Sequence, residues 1–157
     1  DGFGLPPSPA NLVTPFKHPM SSMCPSIILQ AQDTSNKMKR IAATLGASGG
    51  PTIISAVYQV AAKLLLKRVN STRSAVNEPR VHTQVRQNVR VEEGIPTQAL
   101  DELKKRRHVL LPLQILPDGE TIGSCQCITQ HDDNNENSVN YLYPASDRRK
   151  LGKPAGY

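Results

Sequence analysis

The chain has 157 residues, carries a formal net charge of +6 and is 38% hydrophobic. This length suffices for one domain with a modest core, and the apolar fraction is too high for an intrinsically disordered chain. The longest apolar stretch, residues 53–66, contains Gln59 and Lys63 and is too short to cross a membrane. Because the first residue is Asp1 rather than methionine, we expect a fragment or a processed product.

The N-terminal part of the chain predicts a long loop followed by a β-hairpin. Residues 3–11, FGLPPSPAN, are not helical, because prolines lack the N–H donor and restrict the residues before them. Residues 26–32, SIILQAQ, have the character of a strand, and residues 33–36, DTSN, are typical of a turn. Residues 37–46, KMKRIAATLG, are then predicted to return as the second strand.

A glycine-rich turn precedes the clearest helical pattern in the chain. Residues 46–50, GASGG, are followed by Pro51, and proline is preset for the first position of a helix. The apolar residues that follow recur at helical spacing over four turns: Ile53, Ile54, Val57, Val60, Ala61, Leu64 and Leu65. The N–H groups at such a helix start attract negative charge, and in an acyl-transfer enzyme they form an oxyanion hole. The pattern by itself favours the simpler interpretation, a strand-to-helix turn.

A short second helix overlaps a glycosylation sequon. Ser71 or Thr72 is predicted to cap a helix that continues to Val76 and stops before Pro79. Asn70 begins the sequence Asn-Ser-Thr, the acceptor motif for N-glycosylation in secreted proteins. Asn70 is therefore a candidate glycosylation site if the protein is exported.

The next segments predict a strand, a helix and a basic cluster. Residues 88–93, NVRVEE, form the predicted strand, and residues 96–107 form the helix. Its end carries the densest basic cluster of the chain, KKRRH at residues 104–108. Cations stabilise a helix C-terminus, which accounts for the cluster without a ligand. The cluster also lacks the interleaved aromatic residues that favour nucleic-acid binding. We therefore predict no nucleic-acid partner.

Two further strands are predicted near the C-terminus. Residues 109–116, VLLPLQIL, contain a proline, which indicates an edge strand or a bulge. Residues 117–120, PDGE, predict a hairpin turn into a returning strand at residues 121–130. Residues 131–140 are a predicted polar surface loop, and residues 143–157 a turn-rich tail. Hairpin-paired strands interleaved with helices predict an α+β layered domain.

The cysteines do not form a metal-binding pattern. Cys125 and Cys127 are spaced C-x-C and are followed by His131, but no second pair at zinc-site spacing exists. Strand alternation instead puts both thiols on one face, where cysteine is buried as a small apolar residue. We predict neither a metal nor a cofactor.

The serine pair Ser21-Ser22 offers two interpretations. Adjacent serines can bind a carboxylate through their hydroxyls and N–H groups, whereas a serine nucleophile needs a base within hydrogen-bond reach. His18 lies in a proline-flanked extended segment that does not place it reliably. Cys24 would need an electropositive neighbour to react, and its own neighbours favour burial.

Together these motifs closely resemble the C-terminal part of the small subunit of the γ-glutamyltranspeptidases, or glutathione hydrolases, in their animal-type form. The matching blocks are FGLPPSPAN at 3–11, PMSSMCPSI at 19–27, LGASGG at 45–50, EPRVHTQ at 78–84 and ASDRRKLGKPAGY at 145–157. They occur in the family's order and span the whole chain, and only residues 95–143 match loosely.

The resemblance implies an N-terminal-nucleophile hydrolase with an αββα sandwich, of which residues 1–157 form a single partial domain. In this family a precursor cleaves itself, and the new N-terminal threonine of the small subunit attacks the γ-glutamyl amide of glutathione or its conjugates. The free amino group of that threonine is the general base. Water, an acceptor amino acid or a dipeptide then releases the γ-glutamyl group, without a cofactor.

The resemblance also assigns roles to residues of this chain. Ser21 and Ser22 match the serines that hold the α-carboxylate of the substrate. Gly49 and Gly50 match the glycines whose N–H groups form the oxyanion hole. The family places the nucleophilic threonine and the aspartate that binds the substrate's amino group upstream of FGLPPSPAN, so this chain alone is expected to be inactive.

The resemblance further implies a partner and a location. The large subunit of the same precursor completes the pocket with an arginine and anchors animal members on the extracellular face of the plasma membrane. In that setting the Asn70 sequon is usable. The alternative is a non-catalytic relative that acts as a binding or scaffold protein on the same fold.

Overall fold

The computed structural model describes residues 3–30, 40–84, 88–113, 121–131 and 141–155. Within these ranges the strands are β1 Ser26–Gln30, β2 Arg40–Ser48, β3 Val81–Thr83, β4 Asn88–Glu92, β5 Val109–Leu113, β6 Ser124–His131 and β7 Tyr141–Ser146. The helices are α1 Ile53–Leu65, α2 Thr72–Asn77 and α3 Thr97–Lys105, and a 3-10 turn, Gly50–Thr52, directly precedes α1.

The strands form two sheets, and helices pack against them, so the predicted α+β class is confirmed. The larger sheet is antiparallel with the order β1-β2-β6-β7. In the smaller sheet, with the order β3-β4-β5, β3 runs antiparallel to β4 and β5 runs parallel to it. The parallel pair requires a crossover, which α3 supplies.

The main core lies between α1, α2 and one face of the larger sheet. It contains Leu45, Ile53, Val57, Val60, Ala75, Val76, Cys125, Cys127 and Ala145. From α1, the predicted residues Ile53, Val57 and Val60 are buried, and burying each such side chain contributes about 1.5–3 kcal/mol. Ile54 and Leu65, also in the predicted apolar pattern, are instead 57% and 62% exposed, because they lie at the margin of the buried face. Strand register puts Leu45, Cys127 and Ala145 in one cross-strand row on this face.

The opposite face of the larger sheet remains open. The next cross-strand row joins Ile27, Thr44, Ile128 and Pro144, so alternation points these side chains away from the helices. Ile27 is 65% exposed and Ile128 is 42% exposed. A groove of about 690 Å³ runs over this face beside residues 153–155 of the tail.

The predicted hairpin between residues 109–116 and 121–130 is wrong. β5 and β6 belong to different sheets, because β5 pairs with β4 after the α3 crossover. Alternating apolar residues beside a PDGE turn do not specify which sheet a strand joins. The edge position of β5, predicted from Pro112, is confirmed, whereas the turn at 117–120 lies outside the described residues.

The remaining predictions along the chain have mixed outcomes. β1 and β2 pair antiparallel as expected, although the turn residues 33–36 lie outside the described ranges. Most of the predicted polar loop, residues 132–140, also lies outside them. The tail, residues 143–157, was predicted to be turn-rich, but residues 143–146 complete β7. The chain turns after it, where the Lys150 N–H donates to the Asp147 carbonyl at 3.2 Å.

The short helix α2 is capped as the sequence predicted. Ser71 is the N-cap, and its Oγ accepts a hydrogen bond from the N–H of Ser74 at 3.0 Å. The helix ends at Asn77, before Pro79. None of the helices in the described part of the chain has the length and apolar character of a membrane span.

Candidate active site

The glycine turn joins β2 to the start of α1 in a conformation that requires glycine. Gly49 has φ 135° and Gly50 has φ 58°, both in the region that side chains rarely adopt. A Cβ on Gly49 would lie 2.8 Å from the Cα of Gly123, so two backbone segments meet there. A Cβ on Gly50 would meet nothing within 4 Å. Gly50 therefore faces open space that a ligand can enter.

The hydrogen bonds of this turn use its carbonyls and leave its N–H groups available. The Gly49 carbonyl accepts from the Thr52 N–H at 3.3 Å and from Thr52 Oγ1 at 2.8 Å. Within the described residues, the N–H groups of Gly49 and Gly50 donate to no acceptor. Unpaired N–H groups beside open space are the elements of an anion or oxyanion site.

The serine pair docks on this turn. Ser22 Oγ donates to the carbonyl oxygen of Gly50 at 2.5 Å, across 28 residues of sequence. Ser21 Oγ accepts from the N–H of Met23 at 3.1 Å, which leaves its own hydroxyl proton able to donate to a ligand. The two motifs that the sequence singled out separately therefore lie together.

The other nucleophile candidates near the serines do not join them. His18 is exposed and lines a separate cleft with residues 10–14, 17, 19 and 20. Cys24 is half-buried and packs against the core, and its sulfur lies 3.8 Å from Ser26 Oγ. The expectation of burial therefore holds for Cys24 in part, whereas its neighbour Met23 is 79% exposed.

Behind the glycine turn lies a buried network of four charged side chains that sequence reasoning missed. Arg80, Glu92, Asp147 and Arg149 are each at most 5% exposed. Arg80 Nη2 lies 2.8 Å from Asp147 Oδ2, and Arg149 Nη1 lies 2.9 Å from Asp147 Oδ1. Arg149 also pairs with Glu92, through Nε at 2.7 Å and through Nη2. The alternating charges neutralise one another inside the domain.

This network holds the backbone that packs against Gly49. Arg80 Nη1 donates to the carbonyls of Ile122 and Gly123, each at 3.1 Å. Gly123 is the residue whose Cα lies against Gly49. The blocks EPRVHTQ and ASDRRK contain three of the four charged residues, but only their burial, which sequence does not show, identifies the network.

The network also sets the charge state of Asp147. Burial alone would raise the pKa of this carboxyl, but the Arg80 guanidinium, the N–H groups of Cys125 and Arg149, and the Arg149 guanidinium together hold the pKa below its usual value. For Arg80 the balance is opposite, because burial lowers its pKa more than Asp147 raises it. Asp147 is therefore the anion on which both arginines converge.

The two strand cysteines are buried on the helix-facing side, as predicted. Burial raises the pKa of Cys125 to about 11 and the pKa of Cys127 to about 12. None of the three cysteines is in a disulfide. In the described part of the chain no cluster of three or more His, Cys, Asp or Glu residues is arranged to hold a metal ion.

Two surface features complete the set of predicted residues. Asn70, the sequon residue, is exposed just before α2. On α3, Lys104 pairs with Asp101 at 3.6 Å and Lys105 with Glu102 at 2.8 Å, one helical turn apart. These two lysines therefore have acidic partners on their own helix.

Comparison with known proteins agrees with this architecture. The family model described as gamma-glutamyltranspeptidase matches residues 1–157. Glutathione hydrolase 2 of Arabidopsis thaliana is 34% identical over 162 residues, covering 97% of this chain and 26% of that protein. Glutathione hydrolase proenzyme 1 of Schizosaccharomyces pombe is 30% identical over 158 residues, covering 100% of this chain and 22% of that protein. The chain thus spans about a quarter of the length of these relatives.

Solved structures show the same fold. The Helicobacter pylori gamma-glutamyltranspeptidase T380A mutant aligns with a TM-score of 0.71 and 29% identity, over 94% of this chain and 72% of that chain. The Pseudomonas nitroreducens enzyme complexed with L-DON aligns with a TM-score of 0.69 and 28% identity, over 99% of this chain and 71% of that chain. The fold is therefore that of an N-terminal-nucleophile hydrolase. The chain belongs to the γ-glutamyltranspeptidase family.

Proposed function

We propose that the full protein cleaves the γ-glutamyl amide of glutathione and its conjugates and passes the γ-glutamyl group to water, an amino acid or a dipeptide. The observation that carries this proposal is the hydrogen bond from Ser22 Oγ to the Gly50 carbonyl. This bond holds the serine pair against a turn with available N–H groups. In the proposal the pair binds the α-carboxylate of the γ-glutamyl group and the turn binds its γ-carbonyl oxygen. Relatives named glutathione hydrolase support the choice of substrate class.

In this proposal the two motifs bind opposite ends of the glutamyl group. Ser21 donates its uncommitted hydroxyl proton to the α-carboxylate. Ser22 donates to it by turning its hydroxyl proton from the Gly50 carbonyl to the substrate as the substrate binds, and the N–H groups of the pair are further donors. The N–H groups of Gly49 and Gly50 then point at the γ-carbonyl oxygen, where negative charge develops during attack. Loss of one oxyanion donor typically costs about 10²–10³ in kcat, so this turn is a large part of the catalytic effect.

The nucleophile in this proposal is the N-terminal threonine of the mature small subunit, in the segment that precedes FGLPPSPAN in the family. Its own amino group acts as the base, as in other enzymes that use an N-terminal threonine. The γ-glutamyl ester formed on that threonine is released by water or by the amine of an acceptor. The residues described here bind and polarise the substrate rather than attack it.

A large-subunit partner fits the open face of the larger sheet. Ile27 and Ile128 are exposed there beside the groove of about 690 Å³. An apolar sheet face needs a second layer, and the second sheet of an αββα sandwich would supply it. We place the large subunit of the same precursor over this face. It would also anchor the protein outside the cell, where the exposed Asn70 would be glycosylated.

The experiment uses the complete precursor, expressed so that it matures. Wild-type protein is expected to release the chromophore from a γ-glutamyl anilide and to release glutamate from glutathione, with an accelerated rate when a dipeptide acceptor is added. A mature protein with no such activity would overturn the proposal in favour of a non-catalytic binding role. No feature of the described residues favours that role, since the serine and glycine motifs are intact and in contact.

A further inference from the structure

One face of α1 carries a stripe of polar residues that binds it to the smaller sheet. Ser55, Gln59 and Lys63 are spaced four residues apart, so they lie on one side of the helix. All three contact residues 78–82, at the edge of the sheet formed by β3, β4 and β5. The stripe therefore connects the helix of the glycine turn with the second sheet.

The middle and the far end of the stripe make backbone contacts. Gln59 Nε2 donates to the Val81 carbonyl at 2.8 Å, and Gln59 Oε1 accepts from the Val81 N–H at 3.0 Å. Lys63 Nζ donates to the Pro79 carbonyl at 3.3 Å and lies 3.2 Å from a carboxylate oxygen of Glu78. The Gln59 contacts pair the N–H and carbonyl groups of Val81 on the outer edge of β3. The Lys63 contacts attach the helix to the residues just before that strand.

The near end of the stripe is different, because it contacts a buried histidine close to the glycine turn. Ser55 Oγ lies 2.7 Å from His82 Nδ1, and His82 is only 5% exposed. Ser55 is in the first turn of α1, five positions after Gly50. A hydrogen bond at this point restrains the turn on which the N–H groups of Gly49 and Gly50 depend.

The hydrogen bonds beyond His82 run in one direction. Gln84 Nε2 donates to the Phe3 carbonyl, which turns Gln84 Oε1 toward His82 Nε2 at 3.4 Å. An amide oxygen only accepts, so Nε2 carries the ring proton and Nδ1 accepts from the Ser55 hydroxyl. The chain of donors thus runs from α1 through Ser55, His82 and Gln84 to Phe3 in the FGLPPSPAN segment.

We propose that His82 is a positioning residue that fixes the glycine turn through Ser55 and the N-terminal segment through Gln84. The two attachments hold residues that border one cleft, since Phe3, Gln84 and Gly49 line the same cavity of about 410 Å³. His82 touches no reacting atom in this scheme. Its effect on the reaction rests on the proposed function, because it acts by keeping the oxyanion donors aimed at the γ-carbonyl.

Substitutions in the full mature protein can separate the contribution of the His82 Nδ1 contact from that of the Nε2 contact. His82→Asn keeps a polar atom near the Nδ1 position and can still accept from Ser55. His82→Gln keeps one near the Nε2 position and loses the Ser55 contact. We expect His82→Gln and Ser55→Ala each to lower kcat by about tenfold, less than the roughly 10²–10³ for losing a whole oxyanion donor, with the donor KM nearly unchanged.

The matched variants exclude a merely structural effect. Ser55→Thr restores a hydroxyl at the same position and His82→Asn retains its contact, so both are expected to keep most of the wild-type kcat. Lys63→Met removes an attachment at the far end of the same stripe and is expected to leave kcat unchanged. Equal losses of kcat in Lys63→Met and Ser55→Ala, or full activity of Ser55→Ala, would overturn the positioning role.

A second measurement decides the inference even if the protein lacks γ-glutamyl activity. Hydrogen exchange of peptides covering residues 46–56 is expected to accelerate in Ser55→Ala and His82→Gln and not in Lys63→Met. Absent wild-type activity would refute the proposed function alone. Identical exchange in all four proteins would refute the role of His82 whatever the activity is.

Discussion

The side chain of Ser22 donates a hydrogen bond to the carbonyl oxygen of Gly50, 28 residues further along the chain. This contact uses the acceptor side of the glycine turn and leaves its N–H side available. The adjacent Ser21 accepts from the Met23 N–H, and a Cβ on Gly50 would meet nothing within 4 Å. A loop without secondary structure is thereby held against a helix start, and the two share one binding region.

The two glycines of the turn are predicted to respond differently to alanine. Gly50→Ala meets no atom within 4 Å, so its cost is the positive φ alone, about 1–2 kcal/mol. Gly49→Ala adds a clash with the Gly123 backbone at 2.8 Å and is expected to destabilise more. The midpoint of thermal unfolding of the mature protein measures both. A lower midpoint for Gly50→Ala than for Gly49→Ala would contradict this reading of the turn.

Asp147 is predicted to be a major contributor to stability. Asp147→Asn leaves Arg80 and Arg149 with one anion fewer, and breaking such a buried pair typically costs about 3–5 kcal/mol. Denaturant unfolding measures the loss. The control is Asp101→Asn, which removes an exposed partner of Lys104 on α3 and is expected to leave stability unchanged. Equal effects of the two substitutions would show that the buried network is not stabilising.

The same residue predicts a dependence of stability on acid. The pKa of Asp147 is held below its usual value of about 3.9, so its ionised form is favoured by folding. The stability that it contributes is therefore complete above about pH 4 and is lost as the pH falls through the folded-state pKa. Between pH 2 and pH 5, the free energy of unfolding is expected to change less steeply with pH in Asp147→Asn than in the wild type. An unchanged slope would assign the acid dependence to other carboxylates.

The strand cysteines are predicted to be chemically inert in the folded protein. With pKa values raised by burial to about 11 and about 12, Cys125 and Cys127 remain thiols at pH 8. Alkylation followed by peptide mapping is expected to modify Cys24, which is half-buried, faster than either of them. Addition of denaturant should remove the difference. Modification of Cys125 in the native protein at the rate of Cys24 would disprove its burial.

Local features of the fold could be predicted from the sequence. Pro51 and the apolar spacing after it located α1, and Ser71 located the start of α2, because caps and periodicity are properties of neighbouring residues. The pairing of β5 could not be predicted, because the choice between β4 and β6 depends on the α3 crossover. β3 was missed, since three residues are too few to show alternation.

The candidate site was predictable only in pieces. The serine pair and the glycine turn each had a plausible chemistry, but only the resemblance to a family joined them. The buried charges and the Ser55–His82 contact left no local pattern, because Arg149 and Glu92 are 57 residues apart and Ser55 and His82 are 27 residues apart. Such networks follow from tertiary packing, and a single sequence does not show which charged residues are buried.

The carboxylate role of the serine pair is tested most directly by the kinetics of the mature full protein with Ser21→Ala and Ser22→Ala combined. We expect KM for a γ-glutamyl donor to rise by roughly ten- to a hundredfold, because hydrogen bonds to a charged group contribute about 1.5–3 kcal/mol. The drop in kcat is expected to be smaller, and Ser74→Ala on α2 serves as a control with wild-type kinetics. An unchanged KM for the donor in the double variant would contradict the carboxylate role of the serine pair.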